Sequence, residues 1–312
     1  MDLADARGAT GLSHDRALYG LRIASEFPAP DLPPWSGDDR AVDLSIRIGR
    51  VPRLTNPVLD RPLLQADAEG LCRYAIPGVA AYEVSADGRQ VVIEPDGSPT
   101  EAEIRTFLFG TVFAIVCMKR GLLPLHASCI RMGDKAVAVA GHSGAGKSTL
   151  AANLVARGFL LLADDVTVID MSGEAPTALP AFPRVKLWRD AMDRLELAVD
   201  GLERARPTLE KYHVPVETAF CGEPLPLAGL IHLEPESQAP AGLRRLSAME
   251  GLSRISAVVY RQQMMVRLGL RDQQMEQFLR LTSKLGGLRA MRRVAVPAEL
   301  DALVDQMTAL AR

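Results

Sequence analysis

A short glycine-rich segment between an apolar strand and a helix constrains this chain more than any other feature. Ala136 to Ala140 is a run of small apolar residues, and Gly141 to Ser148 follows as Gly-His-Ser-Gly-Ala-Gly-Lys-Ser. Glycines let the backbone curl so that successive N–H groups point inward, and a helix that begins near Ser148 adds the positive end of its dipole. This spacing, between a strand and a helix, predicts a phosphate-binding P-loop.

The loop motif assigns roles to its own residues. The ammonium group of Lys147 is expected to reach the outer phosphates of a bound nucleotide, and the hydroxyl of Ser148 is expected to bind Mg²⁺. ATP and Mg²⁺ are therefore the expected cofactors. His142 occupies a variable position of the motif, which often faces solvent. The predicted nucleotide contacts are Gly141, His142, Ser143, Gly144, Ala145, Gly146, Lys147, Ser148 and Thr149.

Composition argues against several classes of partner. The chain has 312 residues and a formal net charge of −2, so it has no global field for nucleic acid or an anionic membrane. Phe107 to Met118 is nearly all apolar but too short to cross a bilayer, and the segment Met1 to Arg7 lacks the apolar stretch of a secretory signal. The four cysteines are scattered, which predicts reduced and mostly buried thiols rather than a zinc site. We expect a cytoplasmic protein without nucleic-acid or membrane partners, and homo-oligomerisation is left open.

The pattern along the chain predicts two domains. Residues 1–99 contain alternating apolar positions from Val42 to Ile48 and a hairpin signal at Asp87-Gly88, which indicate a small β-rich domain with a role in substrate or peptide recognition. Thr100-Glu-Ala-Glu103 has the spacing of a capping box, so a helix is expected from there to about Arg120. Residues 100–312 are expected to form an α/β domain around the P-loop.

The order of elements after residue 120 predicts a βαβ-like phosphate-binding unit. The P-loop strand and helix are followed by an apolar strand that ends in Asp164-Asp165. A loop is expected at residues 176–183, and residues 201–215 are charged and expected to be rich in turns. The remaining expected elements are strands at 125–130, 136–140, 159–163, 166–169, 186–188, 227–233 and 289–296, and helices at 148–157, 189–197, 272–285 and from 297 onward.

The acidic pair Asp164-Asp165 is the first candidate for chemistry. Phosphoryl transfer needs a metal held by oxygen ligands and a group that orients or deprotonates the acceptor. Adjacent residues of a strand point to opposite sides, so the two carboxylates need not share a role. One is expected to face Mg²⁺ and the other the acceptor hydroxyl, with a solvated strand end or a turn as the alternative.

Other candidates are a histidine and several basic residues. His126 precedes the P-loop strand, and it either borders the phosphate site or is a hydrogen-bonded core residue. Basic residues further along could neutralise a transferring phosphate, although each could equally be a solvated surface residue. These residues are Arg184, Lys186, Arg206, Lys211 and Arg261.

Taken in order, these motifs resemble the catalytic domain of HPr serine kinase/phosphorylase and its relatives. The matching runs lie within about residues 124–170: His126-Ala-Ser-Cys, the P-loop, Arg157-Gly158 and Leu162-Ala-Asp-Asp165. The resemblance implies an α/β P-loop kinase domain of the HPr-kinase type behind the β-rich N-terminal domain. It also implies that one of Asp164 and Asp165 is the base toward a serine hydroxyl and that the other binds the metal together with Ser148, with His126 beside them; we favour Asp164 as the base and Asp165 as the metal-side carboxylate. The predicted catalytic set is Asp164, His126, Lys147, Lys211 and Arg261.

The chain departs from that family in its details. Thr149 stands where the family usually has glutamate, and no counterpart of the family's second signature loop is found after Leu197. The segment Tyr19 to Pro28 resembles HPr-kinase-related proteins found beside peptide natural-product genes, which include lasso-peptide kinases that phosphorylate a precursor's C-terminal serine. This implies an ATP-dependent serine kinase acting on a peptide or protein, in particular a ribosomal precursor peptide. A small-molecule kinase, an HPr-type protein kinase and a nucleotide-binding module without transfer chemistry are the alternatives.

Overall fold

The computed structural model describes residues 14–205, 209–234, 242–292 and 297–312. The chain divides into two compact units, Met1–Val116 and Cys117–Arg312. The division predicted from the sequence falls a little earlier, at the start of a helix that lies mostly within the first unit. The recognition role given to the first part of the chain stays a prediction.

The first unit contains a mixed β-sheet in which alternating residues are buried. Its strands are β1 His14–Leu18, β2 Leu21–Ser25, β3 Leu44–Ile48, β4 Leu59–Arg61, β5 Leu64–Ala66, β6 Cys72–Ile76, β7 Ala80–Val84 and β8 Gln90–Pro95. They pair in the order β1-β2-β3-β8-β7-β6-β5-β4 within the described residues. The predicted alternation is confirmed at Leu44 and Ile46, which are fully buried, but not at Val42 and Ile48, which are 38% and 39% exposed. The turn at Asp87-Gly88 joins the antiparallel pair β7 and β8 as predicted.

The helix predicted after Thr100 is confirmed, with one irregular turn. It consists of α1 Glu101–Phe107, a π-helical turn Leu108–Val112 and α2 Phe113–Lys119. The capping box is present, since the Thr100 side chain accepts from the Glu103 N–H and the Glu103 carboxylate accepts from the Thr100 N–H. In the first unit, the Tyr82 hydroxyl donates to the Ile104 carbonyl over 2.9 Å and so attaches the helix to the sheet. Across the described part of the chain, no helix is both long and apolar enough to span a bilayer.

The second unit contains the P-loop and most of the helices. Its strands are β9 Leu123–Leu125, β10 Ala127–Met132, β11 Lys135–Ala140, β12 Leu161–Ala163, β13 Thr167–Asp170, β14 Thr177–Leu179, β15 Arg184–Trp188, β16 Lys211–Pro215, β17 Leu225–Glu234, β18 Arg244–Arg245 and β19 Arg289–Arg292. Its helices are α3 Lys147–Ala156, α4 Arg189–Arg194, α5 Ala248–Ala257, α6 Gln262–Arg267, α7 Arg271–Lys284 and α8 Pro297–Ala311, with a 3₁₀ turn at Glu217–Ala219.

The main sheet of this unit places β11 near its centre. The described strands pair in the order β12-β10-β11-β17-β14-β13-β9, and β19 and β18 extend the sheet beside the later part of β17. Since β10 is antiparallel to both β11 and β12, those two strands are parallel to each other with β10 between them. The βαβ-like unit predicted from the sequence therefore has one strand inserted between its parallel strands. A separate two-stranded sheet pairs β15 with β16.

The strand that leads into the P-loop is buried on both faces. Val137 and Val139 contribute to the core under α3 and α8, whereas the intervening alanines keep the other face of β11 flat. This explains the continuous apolar run before the loop, which is typical of a strand covered on both sides. The core under the two helices also includes Ile130, Leu150, Leu154, Leu161, Ile231, Leu233, Leu300, Leu303 and Met307.

Two expectations about the elements were wrong. The single strand expected at 125–130 is two strands, β9 and β10, which separate at His126 and pair with different neighbours. The loop expected at 176–183 contains the strand β14. The prolines of this segment favour a loop, but β14 forms because it pairs with both β13 and β17. The strand expected at 289–296 is confirmed as far as Arg292, and its last residues lie outside the described part.

The sequence from Asp272 predicts a helix capped by that residue, with Met275, Phe278, Leu279, Thr282 and Leu285 on one apolar face. The helix is present as α7, but Leu270 is its N-cap residue and its buried face is different. Met275 and Leu279 are 44% and 53% exposed, whereas Phe278 is buried together with Gln274, Gln277 and Leu281. Gln277 can be buried because its amide donates to the Gly121 carbonyl over 2.7 Å, so a polar contact fixes a face that apolar spacing alone did not reveal.

Candidate functional site

The predicted P-loop connects β11 to α3. A β-carbon on Gly141 would lie 2.9 Å from the Leu233 carbonyl oxygen of β17, so glycine is needed where the loop passes this strand. Gly144 and Gly146 have φ values of 82° and 101°, in the left-handed region that favours glycine. Gly146 is also the N-cap of α3, and none of the described side chains caps this helix. Its first N–H groups are therefore left to water or to an anion.

Lys147 is a buried cation at the start of the same helix. Its side chain lies in a residue that is 5% exposed, and Nζ donates to the carbonyl oxygens of Gly141 and His142, each over 2.9 Å. Within the described ranges it makes no ion pair. Burial lowers the pKa of Lys147 to about 8, although Asp164 and Asp165 act in the opposite direction. A buried ammonium group without a counter-ion, next to an uncapped helix start, fits a polyanionic ligand.

This lowered pKa implies a pH dependence of nucleotide binding. As the pH rises through about 8, Lys147 loses its proton and its positive charge. The affinity for ATP is therefore expected to fall by about tenfold per pH unit above that value. Isothermal titration calorimetry from about pH 6.5 to about pH 9.5 measures this profile. A Lys147→Arg variant keeps its charge throughout, so its profile is expected to be flat, and a flat wild-type profile would contradict the assignment.

The carboxylates of Asp164 and Asp165 face different partners, as predicted. Asp164 is 7% exposed and accepts hydrogen bonds from the Ser128 hydroxyl over 2.5 Å and from the Lys186 backbone N–H over 2.8 Å. Asp165 has a φ of 70°, and its carboxylate lies 2.7 Å from Lys186 Nζ and 3.9 Å from Lys211 Nζ. Burial alone would raise the pKa of Asp165, but the two ammonium groups hold it well below its usual value. Asp165 is therefore ionised at neutral pH.

His126 lies at the break between β9 and β10. Its backbone N–H donates to the Val258 carbonyl over 2.7 Å, and ring Nδ1 is 2.8 Å from the Asp165 carbonyl oxygen. A carbonyl can only accept, so Nδ1 carries the proton in this hydrogen bond and Nε2 is the acceptor of the neutral ring. Burial, assisted by the charge of Lys147, lowers the pKa of His126 below its usual value. The imidazole is therefore neutral at pH 7, with its orientation fixed by the backbone of Asp165.

A cavity that opens to solvent joins the P-loop to Asp165. It places His126 beside the P-loop, and it brings two of the five basic candidates, Lys186 and Lys211, into the same cavity. The predicted site residues that line it are His126, Ser143, Gly144, Gly146, Lys147, Ser148, Thr149, Asp165, Lys186 and Lys211.

One wall of the cavity was missed from the sequence. Trp188, at the end of β15, and Asp190, Ala191 and Arg194, on α4, line it beyond the lysines. A signal was available, since Trp188 stands two residues after Lys186 on a predicted strand and therefore shares its face. The sequence could not show that this strand crosses beside the P-loop.

The other predicted residues lie outside the lining of this cavity. Gly141, His142 and Ala145 belong to the loop, and His142 is exposed, with its ring 6.1 Å from that of the buried His232. Asp164 lies behind the lining, and Arg206 is outside the described residues. Arg184 lies over the ring of Phe182 at 4.6 Å. Their proposed roles in binding or catalysis stay predictions.

Arg261 lies near the cavity without lining it. It is exposed and has a φ of 58°, unusual for a non-glycine residue, at the N-cap of α6. Its guanidinium group is 5.3 Å from the ring of Tyr260, and that ring is 6.3 Å from the ring of His126. Arg261 is therefore connected to His126 only through the ring of Tyr260, among the contacts described, and its predicted catalytic role stays a prediction.

The residues near the P-loop offer oxygen ligands for a metal ion. Ser148 and the acidic pair are oxygen donors of the kind that Mg²⁺ takes together with substrate phosphates. In the described ranges there is no group of three or more His, Cys, Asp or Glu side chains that could hold a metal ion by themselves. The four cysteines are free and buried, as predicted.

By its fold and site the chain is an α/β protein with a P-loop domain and a β-rich first unit, which confirms the predicted fold class. No family model and no curated protein matches it. One solved structure to which it is similar is that of the Hpr(Ser) kinase/phosphatase from Coxiella burnetii. The two chains share 13% sequence identity with a TM-score of 0.33, over 61% of this chain and 93% of that chain.

Proposed function

We propose that this protein is a Mg²⁺- and ATP-dependent kinase that phosphorylates a serine hydroxyl of a peptide or protein. One observation carries the proposal: a single open cavity holds the P-loop, an ionised carboxylate flanked by two ammonium groups, and a neutral histidine. An anion cradle beside a carboxylate and fixed cations is what phosphoryl transfer to a hydroxyl requires. The groups concerned are Lys147, Ser148, Asp165, Lys186, Lys211 and His126.

The chain's own residues divide the work of binding and stabilisation. When bound, Mg·ATP supplies the γ-phosphoryl group. Lys147 and the N-terminus of α3 would hold the phosphates, and the Ser148 hydroxyl would bind Mg²⁺. Lys186 and Lys211 would offset the negative charge of the transferred group, because both line the cavity and both are already held in place by Asp165.

We assign the acceptor side to Asp165 and the metal side to Asp164, which reverses the expectation from the sequence. Asp165 lines the cavity, whereas Asp164 does not. The two ammonium groups at Asp165 would repel a divalent cation, but they keep the carboxylate ionised, as a group that orients an acceptor hydroxyl requires. The donors to Asp164 among the described residues, the Ser128 hydroxyl and the Lys186 N–H, are uncharged, so its carboxylate is the better candidate for the water shell of a metal.

The proposed acceptor is a serine of a peptide chain, with a lasso-peptide precursor as the first candidate. The open mouth of the cavity supports a macromolecular acceptor, because a small metabolite is usually enclosed. The resemblance of residues 124–170 and of Tyr19 to Pro28 supports the serine and the precursor peptide. We also propose that the protein acts in the cytoplasm, and homo-oligomerisation stays open.

Transfer of radiolabelled phosphate from γ-labelled ATP to a panel of acceptors tests the function. The panel contains a precursor peptide with a C-terminal serine, the same peptide with that serine changed to alanine, HPr protein and free serine. We expect label on the serine peptide alone, with mass spectrometry placing it on the serine. Label only on a small hydroxyl compound would identify a metabolite kinase, and ATP binding without hydrolysis or transfer would identify a binding module.

A further inference from the structure

Trp188 is a large apolar side chain in a cavity that is otherwise lined by polar or small residues. It is 40% exposed. Apart from Ala191, the other described residues of the lining are glycine or carry a polar side chain. Phosphates and a metal ion are bound by polar groups, so neither of them calls for an indole at this place. An indole that the protein leaves uncovered offers its surface to an apolar group of a ligand.

Trp188 lies on the face of the paired strands β15 and β16 that carries the lysines of the site. Successive side chains of a strand point to opposite faces, and paired residues of two antiparallel strands share a face. Lys186, Trp188 and Lys211 therefore share one face, because Trp188 is paired with Lys211 and is two residues from Lys186. The residues on the other face, which are buried in the core, are Val185, Leu187 and Tyr212.

This arrangement places the indole beside the acceptor-side carboxylate, Asp165. Directly paired residues on one face have their β-carbons about 5 Å apart, which is the expected separation of Trp188 from Lys211. Along β15, Trp188 and Lys186 are about 7 Å apart. Lys186 Nζ is 2.7 Å and Lys211 Nζ is 3.9 Å from the carboxylate of Asp165. Trp188 is thus the neighbour of both cations that contact Asp165, one along the strand and one across it.

The wall next to the indole carries no net charge. Asp190 and Arg194 line the cavity and pair with each other over 2.9 Å, with side chains that are 70% and 53% exposed. Since their opposite charges offset each other, this part of the wall favours neither an acidic nor a basic side chain of an acceptor. The indole is the feature of this wall that can distinguish one acceptor from another.

We propose that Trp188 binds an apolar side chain of the acceptor peptide that lies within about two positions of the phosphorylated serine. An extended peptide advances about 3.3 Å per residue, so two positions span the roughly 7 Å that separate Trp188 from Lys186. The site then selects serines with apolar or aromatic neighbours and rejects free serine, which has none. This inference rests on the proposed function, since it takes Asp165 as the acceptor-side group.

Two serine peptides that differ only in the two residues before a C-terminal serine test the contact. These residues are phenylalanine in one peptide and glycine in the other. For the wild-type chain, kcat/KM is expected to be about tenfold higher for the phenylalanine peptide, because an aromatic side chain packs favourably on an indole. In Trp188→Ala the two values are expected to agree within about twofold, and the Kd for ATP is expected to change by less than about twofold. Labelled-phosphate transfer and calorimetry measure these quantities.

Two further variants separate the contact from an effect on folding. Trp188→Phe keeps an aromatic face and is expected to retain most of the preference for the phenylalanine peptide. Leu279→Ala removes a side chain of the same unit that is 53% exposed and lies outside the lining of the cavity, so it is expected to behave as wild type. A preference that is lost in Trp188→Ala and retained in Trp188→Phe therefore depends on the aromatic ring.

Tryptophan fluorescence measures binding without phosphoryl transfer. Trp35 is the other tryptophan of the chain, so in a Trp35→Phe variant the emission comes from Trp188 alone. The phenylalanine peptide with its serine changed to alanine cannot be phosphorylated, and it is expected to shift this emission to shorter wavelength because it removes water from the indole. ATP alone is expected to leave the emission wavelength unchanged.

The outcomes distinguish a failure of this inference from a failure of the kinase function. A wild-type chain that phosphorylates both peptides equally, or a preference that persists in Trp188→Ala, would overturn the contact and leave the kinase function intact. A raised Kd for ATP in Trp188→Ala with unchanged peptide preference would make Trp188 a nucleotide contact instead. An emission shift with the alanine peptide, without transfer to either serine peptide, would support the contact while the proposed kinase function fails.

Discussion

Replacing Lys147 by methionine is expected to reduce kcat/KM for phosphoryl transfer by about a thousandfold. The ammonium group of Lys147 is the buried positive charge of the P-loop, held between the Gly141 and His142 carbonyls. Methionine fills the same volume but presents no charge to the phosphates. The change also removes a costly buried charge along with two hydrogen bonds, so these effects offset each other and the Tm is expected to stay within about 3 °C of wild type. Labelled-phosphate transfer and thermal unfolding measure the two effects.

The matched control for this substitution is Lys135→Met. Lys135 is at the first position of β11, so it lies at the opposite end of the same strand from the P-loop, and its Nζ donates to the Arg312 carbonyl over 3.3 Å. Transfer by this variant is expected to equal that of wild type. If the folded Lys147→Met protein binds ATP within about threefold of wild type, the phosphate role of Lys147 is refuted.

Asparagine at positions 164 and 165 is expected to give two different defects. In Asp165→Asn the left-handed backbone is retained, because asparagine adopts it as readily as aspartate. The loss of the ionised carboxylate is expected to lower kcat by about a thousandfold with little change in Kd for ATP. In Asp164→Asn the amide oxygen can still accept from the Lys186 N–H, but the amide nitrogen then faces Ser128, so the short bond from the Ser128 hydroxyl to a carboxylate is replaced by a weaker bond between neutral groups. The free energy of unfolding is expected to fall by about 2 kcal/mol, and half-maximal activity is expected to need more Mg²⁺.

These two variants decide which carboxylate serves the acceptor. Chemical denaturation gives the stability of each variant, and activity is compared at saturating Mg²⁺ and at a temperature where both are folded. An Asp165→Asn protein with normal kcat, alongside a stable but inactive Asp164→Asn protein, would restore Asp164 as the base. The assignment from the structure requires the opposite pattern.

Some features of the site could be predicted from the sequence, because they depend only on residues that are neighbours along the chain. The glycine spacing, the start of α3 and the divergence of the acidic pair depend on backbone geometry within a few residues. The backbone conformation of Asp165 could not be predicted in the same way. The strand β12 ends at Ala163, and the left-handed conformation of Asp165 contributes to the separation of the two carboxylates, in addition to strand alternation.

The parts that the sequence could not show depend on distant pairing. Trp188 joins the site only because β15 pairs with β16 and lies against α3. His126 breaks its strand because its N–H bonds to Val258, a residue more than a hundred positions later. The buried face of α7 depends on a bond from Gln277 to Gly121 in the same way. No window of neighbouring residues contains these partners.

The position of β17 between β11 and β14 has a consequence for how the chain acquires its site during synthesis. β17 closes the parallel side of the P-loop strand, and the Leu233 carbonyl lies directly behind Gly141. A nascent chain that has emerged only as far as β16 therefore contains the whole P-loop motif, but the parallel edge of β11 is unpaired and the loop lacks its backing strand. Long-range parallel pairing is slow, and an unpaired apolar edge is prone to aggregate. The nucleotide site is thus completed late, and truncated chains that end before Leu225 carry the motif without the cradle.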